Sequence, residues 1–116
     1  MLSEKHVMAA RIANSVNNAL RMHFNEPANA AWDELDDESR HRALIGVAKA
    51  AEMPDMTPPE CHKLWVESMA NDGYRYGEQI DYVRKEHPAM VPYTQLPEPQ
   101  KLKTQLFLAI VRSILG

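Results

Sequence analysis

Residues 74–98 carry no long apolar period, although helical periodicity dominates the rest of the chain. A connection of more than 20 residues inside a compact domain is uncommon, and such loops are usually functional or disordered. Tyrosines, valines and an isoleucine are frequent in it, a composition that argues against disorder. An ordered loop must satisfy its own backbone donors and acceptors, so something specific holds it in place. This constraint predicts a helical domain built around one fastened connection.

The helical segments have clear borders. Over residues 3–23, Met8, Ile12, Val16 and Leu20 recur at four-residue steps beside Ala9 and Ala13, with Ser3 as N-cap. Phe24–Asn29 breaks the helix, since Pro27 forbids continuation. After Trp32 and Leu35, the acidic run Asp36–Glu38 suits the positive end of a helix dipole. A second helix over about 37–52 places Ala43, Leu44, Val47, Ala48 and Ala51 on its buried face. Gly46 inside it costs about 1 kcal/mol relative to Ala, which predicts a close helix crossing. Thr57-Pro58-Pro59-Glu60 is a capping box with proline at the first helical position. Cys61, Leu64, Trp65 and Met69 follow at helical spacing, and Gly73 is the expected left-handed stop. A short helical turn is expected near 80–86, ended by His87-Pro88. The last helix starts around Pro97–Pro99 and carries Leu102, Leu106, Ile110 and Ile114, widened by Phe107 and Val111. The expected fold is mainly α: a compact bundle of about four helices, with a long ordered loop and at most a small β element before the last helix.

Composition narrows function by exclusion. The 116 residues suit one domain, with an N-terminal helical part over 1–52 and a second part over 57–116. A net charge of −3 gives no bulk attraction to DNA, RNA or acidic lipid. The clusters Arg40/Arg42 and Lys101/Lys103 read as solvated faces. One cysteine, Cys61, permits no internal disulfide, and no Cys/His spacing resembles a zinc site. With no apolar run of membrane length and no secretory leader pattern, a cytoplasmic protein is expected.

No carboxylate pair, nucleophile–base pair or Walker-type loop is present, so no catalytic residue, metal or cofactor is expected. Cys61 and His62 are adjacent on a helix and point about 100° apart, which disqualifies them as a reactive pair. His62 and Trp65 share a helical face. Trp65 lies at a buried spacing, and Trp32 in a loop; each indole can pack one face and offer the other. Tyr74, Tyr76 and Tyr93 can stack on a base or fill a core. Arg84 and Lys85 can contact phosphate or face solvent. Asp81 is expected to cap or brace the loop, and His87 to be held by a backbone hydrogen bond.

His62, Trp65, Gly73, Tyr74, Tyr76, Gly77, Asp81, His87, Pro88, Met90, Val91, Pro92, Tyr93 and Leu96 together carry an unbroken pattern. It resembles the RyR domain, the repeat named after the ryanodine receptor channels and found also in small bacterial and phage proteins. Ala31-Trp32 and Gly46-Val47 extend the resemblance upstream. Tyr74 stands where the family more often has Trp, Lys63 where it has Glu, and Met69 where it has Lys. The resemblance implies a compact helical domain without established catalytic activity. It also implies a small nucleotide-like ligand, since the receptor repeats bind adenine nucleotide and prokaryotic relatives accompany signalling and defence modules. In a phage protein, acting in the host cytoplasm, sequestration of a defence signal is one concrete role. Trp32, His62, Trp65, Tyr74, Tyr76, Arg84, Lys85, His87 and Tyr93 are the candidate ligand residues. The alternative is a protein-interaction module, with the amphipathic first and last helices serving a homodimer or a partner.

Overall fold

A computed structural model describes residues 2–116. Its α-helices are α1 (Glu4–His23), α2 (Asp37–Glu52), α3 (Pro58–Asn71) and α4 (Glu98–Leu115). Strands β1 (Arg75–Tyr76) and β2 (Glu86–His87) form a two-residue parallel pair between α3 and α4. Trp32–Glu34 and Tyr93–Gln95 are short 3-10 turns. The mainly helical class and the long connection before the last helix are as expected. Among the described residues, no helix is long and apolar enough to cross a membrane.

The borders follow the capping residues. The Ser3 hydroxyl accepts the His6 N–H, and His6 Nδ1 accepts the Ser3 N–H, closing a capping box. Asp36 accepts the Ser39 N–H at 2.7 Å, and these hydrogen bonds hold its carboxyl below the usual range. The Glu60 carboxylate accepts the Thr57 N–H at 3.1 Å, and the Thr57 hydroxyl accepts the Glu60 N–H at 3.3 Å. Gly73 stops α3 at φ +92°, where a side chain would be strained.

The core sits where α1, α2 and α4 meet, around Ala9, Ala10, Val47, Ala50, Leu108 and Val111. The expected α2 residues Ala43, Leu44, Val47 and Ala51 lie in or against this core, whereas the deepest positions on α1 and α4 differ from those expected. On α1, Met8 and Ile12 are 52% and 39% exposed, while Ala9 and Ala10 are buried. Alanine wins the inward position because α1 lies against both α2 and α4, and small side chains let three helices approach. On α4, Leu108 and Val111 are the buried pair and Leu102 is 37% exposed. On α2, Ala50 rather than Ala48 is fully buried. Gly46 does not mark a tight crossing: a Cβ there would meet only Phe107 Cζ, at an ordinary 3.7 Å.

Polar side chains fasten the connections. Asn14 Nδ2 donates to the Ala30 carbonyl at 3.1 Å, and Asn18 Oδ1 accepts the Asn29 N–H at 2.8 Å. Glu26 accepts from Lys103 Nζ at 2.8 Å and from Gln100 Nε2 at 3.0 Å, tying the turn after α1 to α4. Residues 80–86 form a turn rather than a helix. Asp81 Oδ1 accepts the N–H groups of Val83 and Arg84 at 3.0 and 2.9 Å, and Asp81 and Glu86 pair through their backbones. A side chain acceptor two and three residues upstream offers these amides an alternative to a helical ladder. A Cβ on Gly77 would lie 2.5 Å from Glu86 Cβ, so this close strand approach requires glycine.

The rotated α1 face predicts opposite responses from neighbouring positions. Ala10→Leu should destabilise by about 1–3 kcal/mol through overpacking. Met8→Ala should stay within about 0.5 kcal/mol of the parent. Urea unfolding followed by circular dichroism measures both, and equal losses would contradict the burial described.

Candidate functional site

Four of the aromatic and imidazole rings expected from the sequence come together on α3. His62 is 6% exposed and donates Nε2–H to the Val91 carbonyl at 2.8 Å. Since a carbonyl only accepts, the proton is on Nε2. Trp65, one turn later, stacks on His62 with ring centres 5.5 Å apart. His87 from β2 meets Trp65 edge-on at 5.0 Å, and Tyr93 tilts against His62 at 6.2 Å. The cluster holds both β2 and the turn before α4 onto α3.

Beside it lies a cavity of about 510 Å³, walled by α1, α2, α3, the connection and α4. That volume is within the range of small-molecule sites. His62, Trp65 and His87 form part of one wall, and Tyr82 lies at the same cavity. Arg21 enters from α1, Arg42 from α2 and Lys103 from α4. Gly46 and Phe107 share the α2–α4 side. Gly46 has no crowded neighbour, so its missing side chain enlarges the cavity instead of permitting a helix crossing.

Arg21, Arg42, Lys49 and Lys103 line the cavity together with Glu67, and Asp72, Glu38 and Glu26 pair with Arg42 and Lys103 from outside the lining. The Arg42 and Lys103 side chains are only 13% and 10% exposed, so two clusters expected to be solvated each send one cation inward. Burial first, then Arg21, Arg42, Lys103 and His62, push the His87 pKa down to about 4. Its Nδ1 accepts the Ala89 N–H at 3.0 Å, the backbone tether expected from sequence. The neutral ring therefore carries its proton on Nε2. Burial pushes the Cys61 thiol up to about 11, which leaves it unreactive as a nucleophile. Among the described residues, no group of three or more His, Cys, Asp or Glu is placed to hold a metal ion.

The other candidate residues lie outside the cavity lining. Trp32 is 7% exposed and belongs to the core. Tyr74 is flanked by Arg42 and Lys85, 5.5 and 5.6 Å from its ring centre, and burial raises its phenol pKa. Lys85 Nζ donates to the Asp72 carbonyl at 2.6 Å and sits 3.6 Å from Glu38. It therefore braces the end of α3 against α2. Tyr76 is 55% exposed and pairs with His87 through the backbone. Arg84 is exposed on the turn held by Asp81. Tyr93 faces Lys101 on its outer side, 5.7 Å from the ring centre. The structure brings Tyr74 and Lys85 together beside Arg42, and places Tyr76, Arg84 and Tyr93 apart from them and outside the cavity lining.

Sequence reasoning missed Asn14, Asn17 and Arg21, which line the cavity from α1. Their spacing of three and four residues beside an alanine face was the available signal. Position 69, where the family resemblance expects Lys, is a 3% exposed Met on the cavity wall.

Comparison with protein families matches the RyR domain over residues 43–115. The match begins within α2 and takes in α3, the connection and all of α4. No curated protein matches the chain significantly.

The His87 environment makes stability depend on acid. The folded ring stays neutral down to about pH 4, whereas the unfolded ring takes a proton near 6.5. The contribution is complete above the unfolded value and is lost as pH falls through this window. His87→Gln should therefore flatten the pH dependence of unfolding between those limits, by up to roughly 3 kcal/mol. Parallel urea titrations of both proteins at several pH values check this.

Proposed function

This chain belongs to the RyR domain family, and we propose that it is a non-catalytic receptor for a small nucleotide-like ligand held in the central cavity. The observation that carries the reading is the convergence of Arg21, Arg42 and Lys103 on a cavity that also presents Trp65. Anionic oxygens would lie among the cations, and the indole and imidazole edges would meet the flat part of the ligand. Neutral His87 offers Nε2–H as a donor without adding charge. A role in sequestering a nucleotide-derived signal is compatible with a site that binds but offers no nucleophile–base pair.

A second reading, a protein-interaction module acting through a homodimer or partner, is favoured by one observation. Tyr76, Ile80, Tyr82 and Val83 are exposed on the connection, Val83 at 94%. Light scattering of the parent and of Val83→Lys distinguishes it: a dimer lost in the variant would favour association through this turn.

For the receptor reading, calorimetry against mono-, di- and cyclic nucleotides is expected to find at least one micromolar to low-millimolar binder. Gly46→Leu should fill the cavity and weaken that binding at least tenfold, about 1.4 kcal/mol, while the chain still folds. Absence of binding by all three nucleotide classes at millimolar concentration would count against a nucleotide receptor.

A further inference from the structure

Asn14, Asn17 and Asn18 lie close together on α1 but are not used alike. Asn14 Nδ2 donates to the Ala30 carbonyl at 3.1 Å. Asn18 Nδ2 donates to the same carbonyl at 3.4 Å, and its Oδ1 accepts the Asn29 N–H at 2.8 Å. Both fasten the segment that follows α1. Asn17 is half-buried between them, and among the described residues its amide has no hydrogen-bond partner. Neither polar atom of that amide is sealed off by protein. Among the described residues, only Arg21 Nε is both fully covered and unpaired.

Helix geometry says where the free amide points. Ala10, Asn17 and Arg21 all line the cavity from α1. At 3.6 residues per turn, Asn17 and Arg21 lie within about 20° of Ala10, one on each side. Asn14 and Asn18 lie about 40° and 80° further round, toward the segment they fasten. Asn17 is therefore aimed into the cavity, and its two neighbours are turned away from it by degrees.

An amide presents a donor and an acceptor side by side in one plane. A phosphoryl group offers acceptors alone and would leave the Asn17 carbonyl facing another oxygen. The cations suit that part of a ligand, and an asparagine does not. A nucleobase edge sets a donor beside an acceptor at the matching separation, so a carboxamide can pair with it through two hydrogen bonds. We propose that Asn17 is the specificity-determining residue of the cavity, pairing its amide with a base edge that holds one donor beside one acceptor. The proposal rests on the cavity-binding reading above. Asn17 lies outside residues 43–115, so the assignment comes from this chain's α1 and not from the family match.

The test compares three nucleotides on the full chain by calorimetry and NMR. AMP and IMP each carry a donor beside an acceptor on the base edge, whereas purine riboside 5′-phosphate carries acceptors alone. At least one of the first two should bind at least fivefold more tightly than the third, because an unpaired polar group penalises the analogue. The Asn17 side-chain NH2 signals, assigned by their absence from the Asn17→Leu spectrum, should move with the tighter nucleotide. Asn17→Leu should abolish the preference and leave binding of the plain purine within twofold, with an unchanged circular dichroism spectrum. Equal binding of all three nucleotides by the parent chain overturns the proposal, whether or not the leucine variant folds. If a nucleotide moves the Trp65 indole N–H but not the Asn17 amide, the assignment is wrong while the cavity reading stands. Equal weakening of all three in the variant also overturns it, since Asn17 would then touch sugar or phosphate. If none of the three moves either signal at millimolar concentration, the proposal and the nucleotide reading fall together.

Discussion

The hydrogen bond from His62 Nε2 to the Val91 carbonyl is the fastening on which the rest of the structure depends. It joins α3 to a connection that has too few regular backbone pairs to hold itself. The parallel strands are two residues long and cannot order more than 20 residues alone. His62 adds an anchor near the far end, and the Trp65, His87 and Tyr93 rings pack around it. Once that cluster forms, His87 has one place to go, and the cavity acquires a defined wall. Leu96, 5% exposed, then leads into α4.

Charge compensation shapes the opposite wall. Burying Arg42 and Lys103 beside a cavity is costly unless acids accompany them. Asp72, Glu38 and Glu26 do so, and each also ties two elements together. Asp72 and Glu38 set the end of α3 against α2, with Lys85 and Tyr74 completing the cluster. Signature residues over 72–85 thus act chiefly on architecture. Arg21 departs from this pattern: it lines the cavity with no carboxylate within ion-pair distance among the described residues, and its buried Nε is unpaired.

Much of the fold was legible because its signals are local. Ser3, Asp36, the Thr57–Glu60 box and Gly73 each act within a few residues, and each stands where expected. The inward faces were less legible. A periodic stripe identifies an amphipathic helix but not its rotation when alanines and large apolar residues compete. Close approach of α1, α2 and α4 decided for Ala9 and Ala10 over Met8 and Ile12. Residues 80–86 form a turn instead of the expected helical one because Asp81 can cap a helix or close a turn, and pairing with Glu86 selects the turn.

The candidate site divides along the same line. By itself, the amino-acid sequence determined four helices, their caps, the ordered connection and the ring-bearing residues His62, Trp65 and His87. These follow from backbone propensity, periodicity and a continuous signature, which are properties of neighbouring residues. Only the tertiary structure decided that Arg21, Arg42 and Lys103, far apart in the chain, enter one cavity, while Tyr76 and Arg84 face away. Nothing local distinguishes a solvated cation from an inward one. Helix rotation and the location of the compensating acids set that difference, and both are consequences of packing.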